Sequence, residues 1–415
     1  MLRLHDTLTR QIVPLAPAGS RILRMHTCAA HGPAGLGDPR PHLLADLIRR
    51  VSERSGLRVL ACRNVSDLGH GGDGGASLEA GALALNMRVP EHSPRTSETM
   101  GLIIELIGRL IEHGHAYTTP EGAVMFDAAS FPAYEEMCGK TAPGDWTLWE
   151  PGDEDRAGTA WDAPWGRGLP SRDIECSATP LRFLGPRFDL YVGAEGLRSP
   201  HHERVRAQSN AATGEDAAAH WAHAGRLLFE GRPVDDHNSN GGFNDSSDGG
   251  SDGGSDDGSD DGSDDDFPGG SPGGSSGGSS GGSSGGSSGG ADAVTPARVA
   301  AAGLDPLALR LALLRHHYRQ QVDLTWDSLK TADAELRRLR RRVAEWAESP
   351  SRPIDATYAG RVQNALDDDL DTPEALRLLG DLETDESITP GAKFETFLHF
   401  DHILALDLSA DIGKA

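Results

Sequence analysis

Cysteine is scarce in this chain. Four residues (Cys28, Cys62, Cys138 and Cys176) in a length of 415 cannot staple the fold, so a disulfide scaffold is excluded and metal binding or burial is left for them. Long hydrophobic runs are missing too. At 37 % hydrophobic residues, no stretch approaches the roughly 18 apolar residues of a membrane span. The start, Met1-Leu2-Arg3-Leu4-His5-Asp6, lacks the continuous apolar segment of a secretion signal. These absences predict a soluble cytoplasmic protein with no membrane contact. Lysines are few, and the net charge is -24. Bulk charge therefore supplies no footprint for neutralising phosphates, and a local arginine patch is the one route left to nucleic acid.

The charge is unevenly spread. Twelve aspartates and no Lys or Arg lie between Asp235 and Asp266, so that tract supplies half of the net charge and the remainder carries -12. Residues 235–292 run from Asp-Ser-Gly into Gly-Gly-Ser-Ser repeats. Such a composition cannot bury enough apolar surface to offset its ordering entropy, so it is expected to be a disordered linker. It separates residues 1–234 from a helix-rich part, residues 293–415.

The first part alternates strand and helix. Residues 21–27 suit a strand, residues 29–41 a Gly/Pro-rich loop, residues 42–54 an amphipathic helix, and residues 57–62 a second strand. This βαβ pattern argues for a parallel sheet with ligands at the carboxyl ends of its strands. A helix is expected at about 97–113, ended by Gly114. Beyond the linker, helices are expected at 305–318 and 326–347, and another opening at Thr372-Pro373-Glu374 with Thr372 as cap. The C-terminal part reads as a helical bundle.

Chemistry concentrates at Cys28, after the first strand, Cys176, and His201, at the opening of a helix. A thiolate at each of two strand ends and an imidazole at a helix start could converge on a tetrahedral zinc. Spacing alone leaves a second reading open, three unrelated residues, because no compact zinc motif joins them.

Several segments resemble the signatures of the cysteinyl-tRNA synthetases, in family order across nearly the whole chain outside the linker. They are Leu4-His5-Asp6-Thr7-Leu8-Thr9-Arg10, Arg63-Asn64-Val65-Ser66-Asp67, Gly114-His115-Ala116-Tyr117, Val124-Met125-Phe126-Asp127, Ile174-Glu175-Cys176-Ser177-Ala178 and Pro200-His201-His202-Glu203. Past the linker, His317-Tyr318-Arg319 and the run from Asp367 to Ala375 continue the match. The resemblance implies an α/β fold: a class I synthetase-type (HUP/Rossmann-like) parallel-sheet domain over 1–234, a connective segment inserted at about 88–170, and a C-terminal helical bundle without a complete anticodon-binding domain. It also implies a zinc held by Cys28, Cys176, His201 and a glutamate, gripping the thiolate of a substrate cysteine.

The chain departs from the family where the chemistry lies. The fourth zinc ligand belongs four residues after His201, and that position is Val205; Glu203 points to another helical face. The pocket tryptophan is Arg172, the histidine 15 residues after Cys176 is Tyr191, and an aspartate is Gly196. Arg172 reads as a surface arginine or as a contact for an anionic ligand. The first ATP signature, His-Ile-Gly-His, corresponds to Gly35-Leu36-Gly37-Asp38 after a shortened loop, with His31 as a nearby bystander. Gly37 keeps a close backbone approach for ATP, but both histidines are gone. The second, Lys-Met-Ser-Lys-Ser, corresponds to Pro233-Val234-Asp235-Asp236-His237, where cations have become proline and aspartate. Losing one such contact costs about 3–4 kcal/mol in the transition state.

The expectation is thus a pseudo-enzyme with no catalytic residue. It would bind zinc, cysteine, a related small molecule or a protein partner, and not charge tRNA. The alternative is an ATP-dependent cysteine ligase with substituted residues and a small acceptor, like the similarly short ligase of mycothiol synthesis. Metal-free, vestigial thiols remain the alternative to zinc. For residues 235–292 the prediction is dispensability. Deleting them should move the melting temperature by no more than about 2 °C, since lengthening a loop adds only closure entropy; a drop of about 10 °C in a thermal melt would show that they dock on the folded part.

Overall fold

The computed structural model describes residues 1–17, 19–28, 37–68, 74–139, 144–152, 160–234 and 294–414. The expected linker, His31, Gly35, Leu36 and Asp235-Asp236-His237 lie outside the described residues.

The chain opens with an antiparallel ribbon, β1 (Arg3–Asp6) and β2 (Gln11–Pro14). Next comes a βαβ unit: β3 (Ile22–Thr27), α1 (Arg40–Arg54) and β4 (Arg58–Arg63), its strands parallel as the alternation predicts. Helices α2 (Gly74–Ala84) and α3 (Met100–Glu112) lead into an antiparallel sheet of β5 (Ala116–Thr118), β6 (Val124–Phe126), β7 (Trp146–Pro151) and β8 (Gly168–Pro170). The chain then returns through α4 (Arg172–Phe183), β9 (Phe188–Ala194), α5 (Glu203–Thr213) and β10 (Ala218–Ala224). Strands β11 (Leu227–Phe229) and β12 (Arg232–Pro233) follow. The C-terminal part holds α6 (Pro296–Ala301), α7 (Leu307–Leu314), β13 (Val322–Leu324), α8 (Trp326–Ala347), α9 (Ala356–Asp367), α10 (Thr372–Thr384) and α11 (Pro390–Leu404). Among the described residues no helix is long and apolar enough to cross a membrane.

The parallel sheet has the order β10-β9-β3-β4, and its two faces serve different purposes. Because side chains alternate along a strand, Leu23, Met25, Leu190, Val192, Ala222 and Ala224 form one core with Leu43, Leu44, Leu47 and Ile48 of α1. That core continues without a break into the helices after residue 294. Cys28, Cys62, Tyr191 and Trp221 face the other way, toward Cys176 of α4 and Val205 of α5.

Four local expectations are corrected. Cys176 lies inside α4 and not at a strand end, because Ile174-Glu175-Cys176-Ser177-Ala178 is too short for periodicity to separate helix from strand. Asp371, not Thr372, caps α10, its carboxylate accepting from Glu374 N–H at 3.0 Å. Helix α3 begins at Met100 because the side chain of Asp67 engages both the N–H and the hydroxyl of Ser97. Helix α7 stops at Leu314, and the turn beyond it lets the Tyr318 hydroxyl donate to Asp369 at 2.6 Å. Gly114 does follow α3 in the left-handed region, at φ 78°.

Two buried arginines join the sheet layer to the bundle. Arg40, the first residue of α1, donates to the carbonyls of Gly225, Arg226, His317, Tyr318 and Gln320. Arg310 of α7, wholly buried, donates to Asp46 at 2.7 Å and to the carbonyls of Leu85 and Leu404. Burial alone would raise the pKa of Asp46, but Arg310 and Arg50 hold it below the ordinary carboxylate value. A lowered pKa contributes stability that is present above the unfolded-state value and is lost as pH falls through the folded-state value. Arg310→Met should therefore cost about 3–5 kcal/mol in denaturant titrations and move acid unfolding to higher pH. An unchanged denaturation midpoint would show that the pair holds nothing together.

Candidate functional site

Cys28 stands one residue past β3, where its N–H donates to Val192 O at 2.8 Å and prolongs the parallel ladder. This aims Sγ at the first turns of α4, and Cys176 Sγ lies 3.6 Å away. His201 belongs to the short turn before α5, and its Nε2 lies 3.3 Å from Cys28 Sγ. The three donor atoms all fall within 4.8 Å of one another, and all three residues are buried. The sequence-predicted trio is thus brought together.

The spacing can be tested against a metal. Zinc bonds of about 2.3 Å to sulfur and about 2.0 Å to nitrogen, at the tetrahedral angle, put S···S at about 3.8 Å and S···N at about 3.5 Å. The two edges that meet at Cys28 Sγ, 3.6 Å to sulfur and 3.3 Å to nitrogen, are close to those of such a tetrahedron. Asp173 strengthens the fit: its Oδ1 lies 2.5 Å from His201 Nδ1, which holds the proton on that nitrogen and turns Nε2, the one that would ligate after losing its own proton, toward the sulfurs. Sequence reading missed Asp173. Its only signal was a carboxylate three residues before Cys176, in the turn that carries the thiol.

Electrostatics prepares the same set. The neighbouring thiol of Cys176 and the His201 ring hold Cys28 well below its ordinary pKa, outweighing burial, while Cys176 is held well above. Burial pulls His201 down, but Cys28 and Asp173 raise it to about 9. Burial depresses His26 to about 4, so that imidazole is neutral.

Val205 sits one turn after His201, buried, and contributes methyl groups where a carboxylate would ligate. Glu203 does point elsewhere: its Oε1 accepts from the N–H groups of Met137 and Cys138, each at 2.9 Å. Arg172 is exposed on the first turn of α4, and Gly196 lies in the turn after β9. Behind the thiols, Tyr191 stacks on Trp221 with ring centroids 4.3 Å apart. His202 Nδ1 meets His223 Nε2 at 2.9 Å, and His223 Nδ1 meets the Thr7 hydroxyl at 2.8 Å. The His202 ring fits only because residue 193 is glycine: a Cβ there would stand 2.2 Å from His202 Cε1. This chain of side chains was also missed, since its contacts span 21 residues (His202 to His223) and 216 (Thr7 to His223), beyond any local rule.

At the start of α1, Gly37 adopts φ 58° and delivers Asp38, buried, to the helix terminus. Asp38 Oδ1 accepts from the N–H of Arg40 at 2.8 Å. The helix start that attracts an anion therefore carries one from the chain itself.

The family described as tRNA synthetases class I (C), catalytic domain, matches residues 76–236. A cysteine–tRNA ligase of Gluconobacter oxydans is 31 % identical over 91 % of this chain and 78 % of its own length. One from Rhodospirillum rubrum is 30 % identical over 92 % and 78 %. Among solved structures, the methionyl-tRNA synthetase of Mycobacterium tuberculosis bound by methionyl-adenylate superposes with a TM-score of 0.56 at 14 % identity. It covers 92 % of this chain and 90 % of its own, a likeness of fold. The relatives' names couple cysteine to tRNA, and the expectation that tRNA is no partner finds no support in them.

Proposed function

This chain belongs to the cysteine–tRNA ligase family, and within it we propose a zinc-binding member that does not activate an amino acid with ATP. The observation that carries the reading is Asp38. Activation needs a triphosphate at the end of the first parallel strand, against the N-terminus of the helix that follows. Here a buried carboxylate already accepts from that terminus. A second anion at this point would meet like charge in a medium that screens it poorly. Arg40, the adjacent cation, is turned onto five carbonyls and holds the helix to residues 317–320. Pro233 and Val234 occupy the start of the second signature and bring no positive charge.

Cys28, Cys176 and His201 would hold the metal, with Asp173 orienting the imidazole. Zinc bound there would act as a Lewis acid toward a thiolate. The chain's own contribution is to keep water out and to hold the Cys28 thiol below its ordinary pKa, chiefly through the neighbouring Cys176 thiol and the His201 ring. Retention of the donors, despite the damaged ATP signatures, supports metal binding as the surviving property.

Cysteine-dependent ATP–pyrophosphate exchange by the purified protein is the test, and the expected rate is that of a no-enzyme control. Exchange far above it would replace this reading with an ATP-dependent cysteine ligase. For the metal, bound zinc should be substoichiometric after dialysis in the wild type, rise in Val205→Glu, and vanish in Cys176→Ser, since serine gives no anionic ligand at neutral pH. Equal zinc in all three would place the metal elsewhere. No zinc even in Val205→Glu would make the thiols vestigial.

A further inference from the structure

Zinc finds three of its four positions in this chain. The donor atoms of Cys28, Cys176 and His201 converge within 4.8 Å, and among the described residues no fourth His, Cys, Asp or Glu atom joins them. The position that resemblance gives to the fourth ligand is Val205, buried in one apolar cluster with Cys28 and Cys176. The neighbouring carboxylates are engaged elsewhere: Asp173 on His201 Nδ1, and Glu203 Oε1 on the N–H groups of Met137 and Cys138. A water at the fourth vertex needs polar partners of its own, and Val205 offers methyl groups. Structural zinc is almost always four-coordinate, so this set underfills it.

The same set suits another cation. Thiolates select copper(I), and that soft, closed-shell ion is content with three donors in a plane. Two sulfurs 3.6 Å apart, with an imidazole nitrogen 3.3 Å from one of them, outline such a triangle. Two thiolates around a monovalent cation leave one negative charge in the centre. Two helix starts answer it: Cys176 is the fifth residue of α4, and His201 stands two residues before α5. The partial positive charge of both N-termini therefore lies beside the donors.

We propose that Cys28, Cys176 and His201 form a three-coordinate copper(I) site, and that zinc is its weaker competitor. The inference rests on the metal reading above and adds the identity of the cation. Binding releases the remaining thiol protons to solvent and transfers no electron, since copper enters as copper(I). Val205 is the residue that decides the preference. Its methyl groups deny zinc a fourth ligand and cost a trigonal ion nothing.

The full chain, titrated without oxygen with the copper(I) complex of bicinchoninate, tests this. The protein should withdraw one copper per chain from the chelator and keep it against an equal concentration of zinc. X-ray absorption of the copper-loaded protein should count two sulfurs and one nitrogen. Val205→Glu should tighten zinc and leave copper(I) affinity at the wild-type value, because the added carboxylate serves only the four-coordinate ion. A fourth donor on copper, displacement of copper by equimolar zinc, or Val205→Glu tightening both cations alike would overturn the copper assignment. Cys176→Ser tests the site itself, with His201→Gln in its place should circular dichroism show that the serine variant misfolds. Affinity for both cations should fall by more than the roughly tenfold that loss of an outer-shell partner costs. Wild-type affinity for both in that variant, or no binding of either by the wild type, would instead overturn the metal reading.

Discussion

The parallel pairing of β3 with β9, carried one residue further by the Cys28 N–H on Val192 O, is the constraint on which the rest depends. It fixes the height of the Cys28 thiol above the sheet and sets Tyr191 beside it on the same face. Strand alternation then separates two environments with one set of backbone bonds. Leu23, Met25 and Val192 build the core under α1, and Cys28, Tyr191 and Trp221 build the site under α4 and α5. A slip of one residue would exchange the two faces and bury the thiols against leucines. The site therefore persists as long as the sheet does, whether or not the chain still performs its family's reaction.

The start of the helix that follows β3 is a joint. Asp38 satisfies the start of α1, and Arg40 fastens that start to backbone carbonyls from two segments that flank the bundle. Five carbonyl contacts on one buried guanidinium stiffen the region where a nucleotide would require open, electropositive backbone. A metal site needs three fixed donors and a dry wall, while an activation site needs free N–H groups, mobile cations and room for a triphosphate. The donor trio lies on the sheet face turned away from helix α1, and the start of α1 is engaged by Asp38 and Arg40; the proposed reading rests on that contrast.

Much of this was legible beforehand, and the boundary is physical. The βαβ order and helix α8 follow from apolar periodicity, because both bury a continuous face. The donors Cys28, Cys176 and His201 could be named together only through resemblance: 148 and 25 residues separate them in sequence, and no local rule joins them. Misplacing Cys176 at a strand end shows the limit of short apolar runs. The partners that decide the chemistry were invisible for the same reason. Asp173 orients His201 across 28 residues, and Thr7 reaches His223 across 216. Tyr191 read as a lost histidine, and only the structure shows its ring stacked on Trp221.

The central claim is that the helix start that would bind a triphosphate is filled by the chain's own carboxylate. Calorimetric titration of the zinc-loaded protein with magnesium-ATP tests it most directly. The account predicts no saturable heat up to millimolar nucleotide, with or without cysteine present. Saturable binding in the micromolar range, strengthened by cysteine, would contradict it.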